Sequence, residues 1–216
     1  AATLCNAQAA ASMLDGSSPD IPEVRSALDD IVTSARRAGD VMRQTRALFT
    51  GGQQTRHLVD LRLLVDSTIK LLRGEIALSG AEVAARCEGA PPAVLGDIIQ
   101  LQQVLTNLIR NALDAVRSAP EGSRRVTVEV LKTPDGSAEL RVADSGPGFP
   151  EGMEEAIFVP FRTGKADGMG LGLPICRQIV NQHGGTITAK RQEGGGALLT
   201  VVLPRPDPDG AGPDGV

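Results

Sequence analysis

The sequence predicts an α+β protein in which an α-helical hairpin precedes a mixed α/β domain. Apolar residues from Val24 to Phe49 recur at steps of four and three, which is the spacing of a helical seam. Val126, Val128 and Val130 alternate with polar residues, as in a half-buried strand. The segment 97–117 carries apolar residues at helical spacing. With 216 residues, 41% of them hydrophobic, the chain can bury a sizeable core.

The predicted hairpin occupies residues 1–50. Its first helix is ended by the segment 16–19, GSSP, and Asp20 with Glu23 forms a capping box for the second helix. The seam of the second helix consists of Val24, Leu28, Ile31, Ala35, Ala38, Met42, Thr45 and Phe49. One hairpin offers this seam little to pack against. It packs either against the rest of the chain or, as we favour, against a second hairpin in a homodimeric bundle.

A linker at residues 51–56 leads into an α/β domain at residues 57–204. The predicted elements, in order, are a strand at 57–60, a helix at 61–78, a strand at 81–87, a helix at 97–117 with Asp97 as N-cap, two strands meeting at 134–136, a helix at 170–183, and a closing hairpin of 186–191 and 197–203. The tail at 205–216 has too few apolar residues to fold and is predicted to be disordered.

Composition excludes several classes of protein. A formal net charge of −4 and the absence of Trp and Tyr argue against a nucleic-acid partner. The sequence contains no run of 18 apolar residues, the length that a helix needs to span a bilayer. The three cysteines lie far apart, which favours a reducing compartment over a disulfide framework or a cysteine metal site. We therefore expect a cytoplasmic location for this region.

The helix predicted from Asp97 carries a polar stripe beside its apolar face. Five side chains fall within an arc of about 80°: Gln100, Gln103, Asn107, Asn111 and Asp114. The stripe could simply face solvent. However, exposed helix faces usually carry Lys, Glu and Arg, and asparagine is a weak helix former. Amide oxygens suit a hard cation that also holds phosphates.

Two glycine-containing segments follow the central strands. Asp144 ends a predicted strand and is followed by Gly146 and Gly148, so its carboxylate could accept from an amine of a ligand that approaches the backbone closely. The alternative is an Asx turn in which Asp144 binds its own backbone. The second segment precedes the last long helix and could present backbone N–H groups to an anion. It consists of Gly168, Met169, Gly170, Leu171, Gly172 and Leu173.

The segment between these two, IFVPFRTGKADG, has the composition of a loop that covers a site. Phe158 and Phe161 could pin it to the core, while Arg162 and Lys165 could contact phosphates. The alternative is a mobile, solvated loop. The glycine-rich segment after it is neither a P-loop, since no GK[ST] follows, nor a dinucleotide fingerprint, since no strand precedes it.

Taken together, the four segments resemble sensor histidine kinases. LQQVLTNLIRNALDAV is similar to their N box, DSGPGFP to their G1 box, IFVPFRTGK to their F box, and GMGLGLPICRQIVNQHGGTI to their G2 box with its following helix. The resemblance covers about residues 56–204, and the hairpin resembles the end of their dimerisation and phosphotransfer domain. It implies the two-layer α/β sandwich of Bergerat type, shared with type II topoisomerase, chaperone and mismatch-repair ATPases.

The resemblance also implies cofactors, residue roles and partners. ATP and Mg²⁺ would bind with Asp144 accepting from the adenine amino group and Asn111 holding the metal, supported by Asn107. The residues implied to contact ATP are Asn107, Asn111, Asp114, Asp144, Gly146, Gly148, Lys165, Gly168, Met169, Gly170, Leu171, Gly172 and Leu173. Asp114 is the weakest member, because many relatives carry a basic residue there. The implied partners are a second copy, a response regulator receiver domain and an upstream sensory domain.

The sequence departs from this family at the phosphoacceptor histidine, which relatives carry early in the first helix of the hairpin. His57 opens a predicted strand and should have no chemical role, and His183 should cap or pack the end of the last helix. Because the chain starts at Ala1 and not at Met, we expect the acceptor upstream in a longer protein; a degenerate relative is the alternative. No catalytic residue is assigned, and this chain alone should not phosphorylate itself.

Three functions are compatible with these residues. The leading hypothesis is a kinase that transfers the γ-phosphoryl group of ATP to an upstream histidine, for relay to an aspartate of a response regulator. An ATPase clamp of the same fold would need a Glu to activate water where this chain has Asn107, which cannot take a proton. The third is a nucleotide-gated dimeric scaffold without phosphotransfer.

Overall fold

The computed structural model describes residues 2–14, 20–32, 34, 39, 56–87, 89, 93–162 and 170–206. The chain divides into two compact units, Ala1–Gly52 and Gln53–Val216. Across these described ranges, no helix combines the length and the apolar character needed to cross a membrane.

The first unit contains the predicted helical hairpin. Helix α1 spans Ala2–Leu14, and helix α2 covers residues 21–32. Asp20 Oδ1 accepts from the Glu23 backbone N–H at 3.1 Å, which is the N-cap half of the predicted capping box. The two helices are joined by a weak contact in which Asn6 Nδ2 donates to Asp30 Oδ2 at 3.5 Å. The sequence prediction of a hairpin is confirmed.

Many apolar side chains of this hairpin are exposed to solvent. In the predicted seam, Val24 is buried but Leu28 is 50% exposed, and the seam from Ala35 onward lies outside the described residues. The other large apolar side chains exposed in this unit are Leu4, Leu14, Ile21 and Val32. Pairing with a second hairpin would cover such a surface, and homodimerisation stays a prediction.

The second unit contains seven strands and four α-helices among its described residues. The strands are β1 (His57–Asp60), β2 (Glu82–Cys87), β3 (Ala93–Gly96), β4 (Arg125–Lys132), β5 (Ala138–Asp144), β6 (Thr186–Arg191) and β7 (Ala197–Leu203). The helices are α3 (Leu61–Leu71), α4 (Arg73–Ser79), α5 (Ile98–Val116) and α6 (Gly172–Gln182), with a short 3₁₀ helix at Ala156–Phe158.

Helices α3, α5 and α6 cover a five-stranded sheet of order β2-β4-β5-β7-β6. Only β2 and β4 pair in parallel; the other neighbours are antiparallel. In β5 and β7, alternate side chains are buried under the helices, as the period of two requires. A separate two-stranded sheet pairs β1 with β3. The two-layer sandwich predicted from the sequence is therefore confirmed.

Two parts of this unit differ from the sequence prediction. The helix predicted at 61–78 is interrupted at Leu72, where the backbone leaves the helical conformation (φ −87°, ψ 3°) and the side chain becomes 1% exposed. Burial of Leu72 thus overrides the continuous helical periodicity. Strand β3 was not predicted, because its four residues pair with β1, more than thirty positions earlier, and carry little local signal.

His183 joins the start of α5 to the end of α6. It is buried, its Nδ1 lies 2.8 Å from the Ile179 carbonyl oxygen, and its Nε2 accepts from the Asp97 backbone N–H at 3.0 Å. These partners require a neutral ring with the proton on Nδ1. Burial lowers the pKa of His183 from its ordinary value of 6.5, with Arg56 acting in the same direction and Asp97 opposing it. The predicted packing role of His183 is confirmed.

We predict that the second unit loses stability as the pH falls below about 6.5. The pKa of His183 is lower in the folded state, so the unfolded state binds the proton more readily. The contribution of His183 to the free energy of unfolding is therefore fully present above that pH and is lost as the pH falls below it. Urea unfolding at several pH values should show a smaller slope for His183→Gln. The control, Leu58→Gln at an exposed position of β1, should keep the original slope. An unchanged slope in His183→Gln would contradict the assignment.

Candidate nucleotide-binding site

Helix α5 buries one face in the core and holds the predicted polar stripe at the edge of that face. The buried side chains are Leu101, Val104, Leu105, Leu108, Ile109, Ala112, Leu113 and Val116. Of the stripe, only Asp114 is exposed; the other four members are half-buried. A stripe that simply faced solvent would be exposed along its length. Asp114 lies beside Arg117, with Oδ1 and Nη1 3.6 Å apart in a solvent-accessible pair that contributes little to stability.

The Asn107 side chain lies between α5 and α6, beside the thiol of Cys176. Burial raises the pKa of this thiol to about 12, and the neighbouring Asn107 amide opposes part of the rise. Apart from this contact with the Cys176 sulfur, the buried Asn107 Nδ2 has no hydrogen-bond partner within the described part of the chain, and the buried Gln100 Oε1 has none. Buried polar atoms of this kind are normally satisfied by water or a ligand.

Asp144 lies at the end of β5 and is 6% exposed. Its Oδ1 accepts from the backbone N–H of Gly146 at 2.8 Å, which is the Asx turn considered from the sequence. The same oxygen also accepts from the backbone N–H of Ala197, the first residue of β7, at 3.3 Å. Contacts from two separate segments therefore fix the orientation of this carboxyl group.

The loop after Asp144 packs closely on the second half of α5. An ideal Cβ on Gly146 would lie 2.8 Å from the Ala115 carbonyl oxygen, and one on Gly148 would lie 2.7 Å from the Gly196 carbonyl oxygen. Only glycine permits both approaches without displacing backbone. Asp144 is thereby held next to the C-terminal turns of the helix that carries Asn111.

The N-terminus of α6 lies near Asn111. An ideal Cβ on Gly172, the first residue of this helix, would lie 4.0 Å from Asn111 Nδ2. Leu171 precedes the helix without a side-chain cap, and Gly170, Leu171, Gly172 and Leu173 are half-buried. The first N–H groups of a helix and its dipole favour an anion. Asn111 and these N–H groups are thus neighbours, whereas the sequence had related them only by pattern.

The segment between the two glycine-containing loops is anchored by Phe158. Its ring lies under the Arg177 guanidinium, 4.0 Å from ring centroid to Arg177 Cζ, and Arg177 also donates to Glu155 at 2.7 Å. Phe161 is instead 78% exposed, so the expectation that it pins the loop to the core is wrong. Its backbone has φ 63°, a conformation that turns the side chain away.

Three predicted site residues, Lys165, Gly168 and Met169, fall within 163–169, outside the described residues. The two ends of that segment are nevertheless close together, since the Phe161 N–H donates to the Gly170 carbonyl at 3.1 Å.

Sequence reasoning missed the contribution of the turn between β6 and β7. Ala197 contributes a backbone N–H to Asp144, and Gln192 Nε2 donates to the Asp144 carbonyl at 3.1 Å. An alanine gives no polar signal in a sequence. Gln192, placed before three consecutive glycines, was the available hint.

Residues 96–207 match the family described as "Histidine kinase-, DNA gyrase B-, and HSP90-like ATPase". The chain belongs to this family. The match covers α5, both glycine-containing loops and the strands that position Asp144. ATP binding is the activity shared by the family.

Sensor histidine kinases are among the proteins to which this chain is similar. Sensor protein FixL of Bradyrhizobium diazoefficiens is 38% identical over 90% of this chain and 38% of its own length. Sensor histidine kinase ZraS of Escherichia coli K12 is 35% identical over 70% of this chain and 32% of its own length. The catalytic domain of histidine kinase ThkA is 29% identical, with a TM-score of 0.62 over 69% of this chain and 95% of that domain. This chain therefore carries the ATP-binding region of sensor histidine kinases and spans about two-fifths or less of the curated relatives.

We predict that Gly170→Ala is more damaging than Gly152→Ala. Both glycines have positive φ (64° and 78°), so each substitution introduces backbone strain of about 1–3 kcal/mol. An added Cβ would also lie 2.7 Å from the Arg162 backbone nitrogen at Gly170, whereas at Gly152 it meets nothing within 4 Å. Gly170→Ala should therefore show the lower free energy of unfolding in urea and weaker ATP binding. Equal losses in the two variants would contradict the close packing at Gly170.

Proposed function

We propose that this chain is the catalytic region of a sensor histidine kinase that binds Mg-ATP. It transfers the γ-phosphoryl group to a histidine outside this chain, for relay to an aspartate of a response regulator. One observation carries the proposal: Asp144, Asn111 and the N-terminus of α6 all lie along the second half of α5. The proposal is supported because one site would then combine an acceptor for a base, an amide for a metal and N–H donors for phosphates.

Adenine recognition is assigned to Asp144. A carboxylate is an acceptor-only group when ionised, and it pairs well with the 6-amino group of adenine. Its Oδ1 is oriented by Gly146 and Ala197, so little side-chain freedom would be lost when a base binds. The loop at Gly146 and Gly148 brings backbone close to the same position.

Phosphate binding is assigned to the N-terminus of α6 with Gly170, Leu171, Gly172 and Leu173, and to Gly168, Met169 and Lys165 in the segment before it. Backbone N–H groups and the helix dipole supply the positive end. Asp114 lies one turn beyond Asn111 on α5 and completes the predicted set of ATP-contacting residues.

Mg²⁺ would be held by Asn111, with support from Asn107. Within the described ranges, no group of three or more His, Cys, Asp or Glu side chains could hold a metal by itself. This suits Mg²⁺, which keeps waters and is usually bound by few protein ligands together with substrate phosphates. The buried Nδ2 of Asn107 is a donor and not a metal ligand, so it fits a bound acceptor such as water or a phosphate oxygen, while the amide oxygen is the atom that could support the metal. When bound, the metal neutralises charge on the transferring phosphates.

The neutral side chain at position 107 favours phosphotransfer over hydrolysis. One helical turn before Asn111, an ATPase of this fold would need a carboxylate to accept a proton from water. Asn107 cannot do so, and it lies beside Cys176, whose thiol keeps its proton because burial raises its pKa. Phosphoryl transfer itself requires positioning and charge neutralisation, which the site can supply.

A response regulator and a second copy of the chain are the proposed partners, together with a sensory domain in the longer protein. ThkA is known in complex with the response regulator protein TrrA. The exposed apolar residues of the hairpin support homodimerisation, since a helical bundle would bury them.

We predict that Asp144→Asn weakens ATP and ADP binding by about 1.5–3 kcal/mol, the range for a hydrogen bond to a charged group. The amide keeps the shape and an oxygen that can accept from Gly146 and Ala197, but it replaces an acceptor with a donor toward adenine. Isothermal titration calorimetry measures the change. Asp135→Asn, at the tip of the β4–β5 hairpin, is the matched control and should bind like the unmodified chain. If Asp144→Asn bound ATP and ADP as tightly as the unmodified chain, the assignment of adenine recognition to Asp144 would be wrong.

We predict that this chain transfers phosphate from ATP to a histidine of a longer chain and not to its own histidines. This chain with labelled ATP should leave its own His57 and His183 unmodified, because His57 lies on β1 and His183 is buried with both ring nitrogens engaged. Mixed with a longer chain of the same protein whose own site carries Asp144→Asn, it should place acid-labile phosphate on an upstream histidine. Phosphate on His57 or His183 would contradict the hypothesis that the acceptor histidine lies outside this chain. ATP binding without transfer would favour the scaffold, and rapid phosphate release would favour the ATPase clamp.

A further inference from the structure

We propose that Gln192 is a positioning residue for adenine recognition, acting through Asp144. The inference rests on the proposed function, because it concerns the same nucleotide site. It assigns a role to a half-buried side chain in the turn between β6 and β7, outside the two glycine-containing segments that follow Asp144 and precede α6.

The amide of Gln192 bridges the ends of two strands. Nε2 donates to the carbonyl oxygen of Asp144, the last residue of β5, at 3.1 Å, and to that of Ala197, the first residue of β7, at 2.9 Å. A glutamine amide has two N–H groups, so both are used by these two carbonyls. Charge-free donors of this kind cannot be supplied at this position by Glu, Met or Ala.

The turn that carries Gln192 is pressed against Asp144 and is closed on itself. The Gln192 N–H donates to the Gly196 carbonyl at 3.1 Å, and the Gly195 N–H donates to the Gln192 carbonyl at 3.2 Å. At Gly196, which has φ +94°, an ideal Cβ would overlap the Asp144 carbonyl oxygen. The turn therefore has one close-packed position relative to the end of β5.

Gln192 consequently holds two of the residues on which the direction of the Asp144 carboxyl group depends, Asp144 itself and Ala197; the third contact, from the Gly146 N–H, does not involve Gln192. It holds the Asp144 carbonyl directly, and it holds the carbonyl of Ala197, whose N–H binds Asp144 Oδ1 at 3.3 Å. Without the bridge, the start of β7 and the end of β5 are connected through fewer hydrogen bonds. The carboxyl group should then be less well placed for the adenine amino group, and small displacements at a recognition group are costly.

This role predicts a loss that depends on the base. In Gln192→Met, which keeps side-chain length but lacks N–H donors, ATP affinity should fall about three- to tenfold, the value of one or two neutral hydrogen bonds. Affinity for purine riboside 5′-triphosphate, which lacks the 6-amino group, should fall less than about twofold, because phosphate contacts are unchanged. The variant Gln192→Glu keeps the shape but presents only acceptors to the two carbonyls, so it should show the same selective loss.

Calorimetric titration of the full 216-residue chain with both nucleotides, beside urea unfolding, is the test. Gln102→Met is the matched control: it lies thirteen residues before Ala115 on α5, about 20 Å along the helix axis, and should bind both nucleotides normally. In a background of Asp144→Asn, Gln192→Met should have no further effect on ATP affinity, because the two changes remove one interaction.

The outcomes separate this inference from the proposed function. A selective loss of ATP affinity in both Gln192 variants, absent from the double variant, supports the positioning role. Equal losses for the two nucleotides, or no loss in either Gln192 variant, overturn it while Asp144→Asn still discriminates between the nucleotides. If Asp144→Asn itself weakens both nucleotides equally, the adenine assignment fails, and the inference fails with it. If one Gln192 variant does not unfold cooperatively in urea, its affinities are set aside, and the other Gln192 variant decides between these outcomes.

Discussion

The burial of one face of α5 determines where the groups of the candidate site lie. Leu105, Leu108, Ile109 and Val116 are fully buried, and each such side chain contributes roughly 1.5–3 kcal/mol relative to exposure. Rotating the helix by one position, about 100°, would bring polar residues into the core and apolar ones into water. The azimuth of the helix is therefore fixed by its apolar residues. Because Asn111 has a set angle to them, the hydrophobic core also aims the amide at the N-terminus of α6.

Contacts at its two ends prevent α5 from sliding along its axis. At the start, the Asp97 N–H binds His183, which in turn is bound to the last turn of α6. Near the other end, Gly146 allows the loop after β5 to lie against the Ala115 carbonyl. The first contact is a hydrogen bond from Asp97 to the His183 ring, and the second is close packing of Gly146 on Ala115. Each contact fixes the position of α5 against a segment that carries site residues. The proposed base and phosphate subsites are thus held at a set separation by their common contacts with α5.

The elements that sequence reasoning predicted are those whose signal is local. The periodicity of α5, the alternation in β4 and β5, and the glycines before α6 each lie within one segment. The predictions that were wrong or missing depend on tertiary contacts. The helix is interrupted where Leu72 is buried in the core, and β3 forms by pairing with β1. Phe161 is exposed, although an aromatic residue at this position suggested an anchor. The same reason hid Ala197, whose contribution to Asp144 is a backbone N–H placed by the register of β7 against β5.

The distribution of charge within the site bears on the choice between transfer and hydrolysis. Asp144 is the one buried carboxyl group in the described part of the chain, and its Oδ1 receives two N–H groups that offset the cost of burial. Asn107 and Asn111, by contrast, are neutral amides beside the apolar face of α5, and the one carboxylate of the stripe, Asp114, is exposed. A carboxylate at position 107 would lie partly buried against the Cys176 thiol, which stays protonated, and burial of a charged group is costly. The packing of α5 on α6 therefore favours a neutral residue where a hydrolase would place its base. Under the proposed function, the γ-phosphoryl group of bound ATP would then pass to an acceptor outside this chain.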